Sequence, residues 1–138
     1  MGAGADSRET VPLHGRRAPP RRVLIVEDDQ DIREVVCEVL EGAGFGAVPA
    51  EDGLKAWEYL RRNPSPSAIL LDLFMPNMNG WDLVKEIQTA PRLQSVPVVV
   101  MTASGPHWGY PSTRVLRKPV GCDQLLTALR TAIDEANR

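Results

Sequence analysis

At 138 residues, 43% hydrophobic and 25% charged, the chain has the size and balance of one ordinary globular domain. No run approaches the roughly 20 apolar residues that cross a bilayer, and no basic start leads into an apolar signal segment; a membrane role is excluded and a cytoplasmic setting is expected. Arg8, Arg16, Arg17, Arg21 and Arg22 outweigh Asp6 and Glu9 in residues 1–22, which leaves sixteen acidic against eleven basic side chains for the rest, the wrong sign for a nucleic-acid surface.

Residues 1–20 are rich in Gly, Ala, Pro and Arg without apolar periodicity, so a disordered tail is expected there, with one domain over 21–136. Val23-Leu24-Ile25-Val26 is a continuous apolar run of the kind found in a strand buried on both faces. Ile32, Val35, Val36, Val39 and Leu40 follow at helical spacing until Gly42 and Gly44 stop them. Gly46 to Ala50 forms a weak second strand. Leu54, Trp57, Tyr59 and Leu60 mark a second helix that ends at Asn63-Pro64.

Ala68 to Leu71 is the third strand, and Trp81, Leu83, Val84 and Ile87 give a third helix after Gly80. Val96 to Met101 and Thr113 to Leu116 are the fourth and fifth strands, and Leu125, Leu126, Leu129 and Ile133 supply the last amphipathic helix. The alternation argues for an α/β fold, a parallel sheet with helices on both faces. Periodicity alone does not order its strands. Cys37 and Cys122 have no metal-ligand spacing and fall within helices; Cys122, on the Leu125/Leu129 face, reads as a small buried hydrophobe, and both are expected to stay reduced.

Several strands end on a polar group: Glu27-Asp28-Asp29 after Val26, Asp72 after Leu71, Thr102-Ala103 after Met101, and Lys118-Pro119 after the fifth. Parallel strands would bring all of these to the carboxyl edge of one sheet, where open α/β sheets bind ligands. Carboxylates forced together repel one another, and a divalent cation such as Mg2+ relieves that repulsion in an oxygen-rich site. Asp28 and Asp29 could instead cap the helix that begins near Gln30. Asp72 could accept a phosphoryl group, with Lys118 as a fixed ammonium and Thr102 bonding a phosphoryl oxygen.

The ordered set Val26-Glu27-Asp28-Asp29, Leu70-Leu71-Asp72-Leu73-Phe74-Met75-Pro76-Asn77-Met78-Asn79-Gly80, Met101-Thr102-Ala103 and Lys118-Pro119 resembles the receiver domain of two-component response regulators, over residues 21–136. The spacings, 44 residues from Asp28 to Asp72 and 30 from Asp72 to Thr102, are similar to the family's. The resemblance implies a flavodoxin-like, doubly wound five-stranded parallel sheet in the order 2-1-3-4-5. It implies Asp72 as the phosphoacceptor, taking its phosphoryl group from a phosphohistidine on a histidine kinase or histidine phosphotransfer protein. Asp28, Asp72 and the backbone carbonyl of Phe74 are then direct Mg2+ ligands, and Glu27 holds the ion through water. Thr102 becomes the switch hydroxyl, Ala103 leaves the phosphoryl group accessible, and Lys118 binds that group. The Lys118-Pro119 bond is implied to be cis.

Two departures from the family pattern stand out. Lys118 follows Thr102 by only 16 residues, across Gly105, Pro106, Gly109 and Pro111, so the helix between the fourth and fifth strands is expected to be shortened or absent. Val115 stands where the family places an aromatic switch residue, with Trp108 and Tyr110 as substitutes or as mere cover for the sheet. Phe74 and Ser104 hold the positions that tune dephosphorylation in the family, and Phe74 is expected to shield the acyl phosphate from water. With nothing after the last helix to act as an output domain, a stand-alone receiver is expected: a signalling switch rather than an enzyme, with a downstream protein target. A degenerate receiver, serving as a constitutive interaction module, is the alternative. A dehalogenase-type aspartyl-phosphate hydrolase would want an aspartate where Phe74 stands.

Overall fold

The computed structural model describes residues 21–73, 80–102 and 113–137. Val23, Leu24, Ile25 and Val26 are wholly buried, as a continuous apolar run requires when both faces of its strand are covered. They belong to β1 (Arg22–Val26), which is flanked on both sides. The other strands are β2 (Gly46–Ala50), β3 (Ala68–Asp72), β4 (Val98–Thr102) and β5 (Thr113–Arg117). All pair in parallel, in the order β2-β1-β3-β4-β5, so the expected topology is present.

Four helices are described: α1 (Gln30–Gly42), α2 (Gly53–Arg62), α3 (Gly80–Thr89) and α4 (Cys122–Ala136). The chain moves one way along the sheet from β1 to β2, then the other way from β2 through β3 to β4. With right-handed crossovers throughout, that reversal puts α1 on one face and α2 and α3 on the other. Alternate strand residues divide accordingly. Leu24, Val26, Ile69, Leu71, Val98 and Val100 pack with Leu60 of α2 and Leu83, Val84 and Ile87 of α3. Val23, Ile25, Leu70, Val99 and Met101 pack with Leu40 of α1 and Leu125, Leu129 and Ile133 of α4.

The helix ends follow local chemistry. The Asp29 side chain accepts from the Ile32 N–H at 3.1 Å, and that of Asp52 from the Lys55 N–H at 2.9 Å. Beyond α1 the chain turns at Gly44, whose φ of 96° lies in the left-handed region, while the Phe45 N–H returns to the Leu40 carbonyl. Gly42, expected as a stop, is still helical.

Three expectations need correction. Cys122 is exposed rather than buried: it opens α4, and burial on that face begins only at Leu125. Ile32 and Val35 share the apolar stripe of α1 yet are 41% and 56% exposed, because the stripe is wider than the face the sheet covers. Leu54 is likewise exposed. The tail at residues 1–20 and the segment 103–112, where a shortened or missing helix is expected, lie outside the described residues. No helix among the described residues is long and apolar enough to cross a membrane.

Candidate functional site: an acidic cluster at the carboxyl edge

The parallel register brings the strand ends together. Val26 pairs with Leu71, Asp72 with Met101, and Thr102 with Arg117, so Glu27, Asp72, Thr102 and Lys118 emerge side by side. The edge is held by backbone bonds: Glu27 N–H to Ala50 O at 3.1 Å, Leu73 N–H to Met101 O at 3.2 Å, and Lys118 N–H to Thr102 O at 2.8 Å. Asp29 is absorbed by capping α1, which leaves Glu27 and Asp28 as the acidic pair at the site. Sequence reasoning left both Asp28 and Asp29 open as caps; Asp29 fills that role.

Glu27, Asp28 and Asp72 each offer a carboxylate oxygen within 4.8 Å of the others. The Glu27 side chain is buried, and its Oε1 has no hydrogen-bond partner among the described residues. Burial pushes its carboxyl up to about 7; Asp72 adds to the rise, while the Asp29 N–H and the Lys118 ammonium oppose it. Such an orphaned oxygen, beside two further carboxylates, fits a hard divalent cation. Lys118 lies between two of them, its Nζ 3.3 Å from Asp72 Oδ2 and 3.8 Å from Glu27 Oε1. Thr102 is buried at the end of β4, next to Lys118. The Lys118-Pro119 bond is cis.

Two features of the site lay beyond sequence reasoning. The Arg33 guanidinium donates to the Glu27 carbonyl at 2.8 Å and ties α1 to the acidic turn. Exposed Ile32 and Val35 form, with Met101, Pro119 and Leu125, an apolar cavity of about 660 Å³ that Lys118 also lines. Val115 is 41% exposed on β5. Phe74, Ala103, Ser104, Trp108 and Tyr110 lie outside the described residues.

The chain is similar to known proteins. Over 107 residues the chain is 39% identical to the phosphate regulon transcriptional regulatory protein PhoB of Escherichia coli, covering 78% of this chain but 44% of PhoB, so it spans less than half of that relative. It is 34% identical over 85 residues to the chemotaxis protein CheY1 of Helicobacter pylori, covering 61% of this chain and 68% of CheY1. Among solved structures, the chemotaxis protein CheY4 of Vibrio cholerae superposes with a TM-score of 0.73 at 26% identity, over 82% of this chain and 98% of that one. A sensor protein from Polaromonas sp. JS666 gives 0.77 at 29% identity, over 86% and 99%. Residues 23–130 match the response regulator receiver domain, and the chain, with its five parallel strands in the order β2-β1-β3-β4-β5, belongs to that family.

Proposed function

We propose that this chain is a phosphoacceptor switch: it takes a phosphoryl group from phosphohistidine onto Asp72 and thereby changes a protein-interaction surface. The observation that carries this reading is the meeting of three carboxylates within 4.8 Å, with the Lys118 ammonium 3.3 Å from Asp72 Oδ2. A carboxylate oxygen of Asp72 attacks phosphorus and forms an O–P bond. The N–P bond breaks, and the imidazole leaves with the electron pair, to be protonated or held as the neutral ring. Lys118 stabilises charge on the transferred oxygens, and Thr102 donates its hydroxyl to one of them.

Asp28 and Asp72 would hold Mg2+ directly, with the Phe74 carbonyl as a further ligand and Glu27 acting through water, and the ion would neutralise charge on the phosphoryl oxygens. The new group brings nearly two negative charges and three acceptor oxygens. Turning a mostly inactive population into a mostly active one needs about 5.5 kcal/mol of differential interaction. A few charge-assisted hydrogen bonds from Thr102 and Lys118 are of that order.

The donor in this reading is a histidine kinase or a histidine phosphotransfer protein, the recipient of the signal is a downstream protein, and the setting is cytoplasmic. The receiver domain in this reading occupies residues 21–136. The second reading, a constitutive interaction module without phosphate cycling, is favoured by Val115 in place of an aromatic ring and by the short interval from Thr102 to Lys118. Phosphotransfer from a histidine kinase, or from acetyl phosphate with Mg2+, separates the two. Label is expected on the parent and lost in Asp72→Asn; equal labelling of both, or of neither, would overturn the first reading.

A further inference from the structure

The amino edge of the sheet, opposite the acidic site, carries arginines. Arg21 pairs with Asp134 and Arg114 with Glu135, both on α4. Arg22 donates to the Tyr59 hydroxyl at 2.6 Å and to the Pro64 carbonyl. Arg61 and Arg62, at the end of α2, and Arg92, just after α3, form no ion pair with a carboxylate among the described residues. These three line one cavity of about 550 Å³, and no acidic residue lines it. Its apolar floor is made by Trp57 and Ala90, both half-buried against the core, and by fully buried Leu93.

Part of this charge has a local explanation. Arg61 and Arg62 face the C-terminal dipole of α2, and Glu58 lies one turn back on the same helix. Neither accounts for Arg92, whose Nη1 donates to the Asn63 carbonyl at 3.3 Å and to Ser65 Oγ at 3.4 Å. Those bonds fix the guanidinium beside the other two and leave its remaining N–H groups for an incoming acceptor.

We propose that this cavity between α2 and the segment after α3 is a docking site for an acidic peptide segment of another protein. One apolar side chain rests on Trp57 and Ala90, and flanking carboxylates meet Arg61, Arg62 and Arg92. Charge complementarity selects the occupant. Guanidinium groups pair carboxylates in a fork geometry, and an apolar floor between them wants a side chain that a free anion lacks. A long polyanion would run off the patch onto a body that carries sixteen acidic against eleven basic side chains after residue 22. A short acidic segment stays within the basic field. This inference goes beyond the phosphoacceptor reading and does not rest on it.

The test is a phage-displayed random peptide library panned on the full chain, followed by fluorescence anisotropy of the enriched peptides. Enriched sequences are expected to hold at least two acidic residues beside an aliphatic or aromatic one. The Arg61→Gln/Arg62→Gln double variant should bind them about tenfold more weakly, equivalent to about 1.4 kcal/mol, and binding should weaken with added salt. A circular dichroism melt checks that the variant is folded; should it melt early, Arg92→Gln supplies the same comparison. No enrichment, enrichment of sequences without acidic residues, or undiminished binding by both variants would overturn the proposal. Retention only of single-stranded DNA or phosphatidylserine vesicles would overturn it as well.

Discussion

Lys118 is already placed where a bound cation would act. Its ammonium lies within 4 Å of both Asp72 and Glu27, so it shares their negative field with any ion that arrives. Removing that charge should tighten cation binding even as it weakens the grip on a phosphoryl group. Lys118→Ala is therefore expected to lower the Mg2+ dissociation constant several-fold in a Trp-fluorescence or calorimetric titration and to slow phosphate uptake; weaker ion binding would contradict this electrostatic account. Gly80 shows a different constraint. A Cβ there would stand 2.6 Å from Leu73 Cα, 2.7 Å from Leu73 O and 2.8 Å from Leu71 Cδ1, and two of those three are backbone atoms. Gly80→Ala should destabilise the fold by roughly 1–3 kcal/mol in urea unfolding, since α3 must shift away from the end of β3. Asp72 and the Glu27-Asp28 pair were legible in the sequence because each follows a short apolar run of the kind that forms a buried strand. The carboxyl environment of Glu27 was not, because burial of one member of an acidic pair depends on which way the turn after β1 points.

At the scale of elements, the described strands and helices fall within about two residues of the sequence reading, since short apolar runs bounded by turn residues mark buried strands and a 3.6 period marks helices. What periodicity cannot supply is coverage. Ile32 and Val35 have the same spacing as buried Val36 and Leu40, yet no element among the described residues covers them, and they flank Lys118 with Pro119 and Leu125. An apolar face beside the proposed phosphoryl site suits a protein donor better than a small one. Val35→Asp is expected to slow transfer from a histidine kinase at least tenfold while leaving uptake from acetyl phosphate unchanged; equal slowing of both would remove this face from donor docking. Cys122 misled in the same way, because its three-residue spacing from Leu125 gives its face but not that the first turn of α4 lies open. The guanidinium cluster was only half visible: Arg61 and Arg62 are adjacent in the chain, but Arg92 joins them through the return of α3 to the amino edge.

At the scale of the whole molecule, the acidic site has an expected thermodynamic effect. The repulsion among three clustered carboxylates is only partly offset by Lys118, and an ion that binds only the folded chain stabilises it by about 2.7 kcal/mol at a hundred times its dissociation constant. For a chain of this size each kcal/mol raises Tm by about 4 °C. Thermal melts should therefore rise with Mg2+ and level off, and Asp28→Asn should blunt the rise; a melt insensitive to Mg2+ would speak against a cation site.

The carboxylates at one end of the sheet and, at the other, the guanidinium groups that form no ion pair among the described residues amount to a separation of charge along the strand direction. A molecule built this way feels a torque in the field of any charged neighbour and turns before it touches. Its encounters begin already aligned, with opposite poles offered to cationic and anionic visitors, and dilute salt is enough to blur that compass.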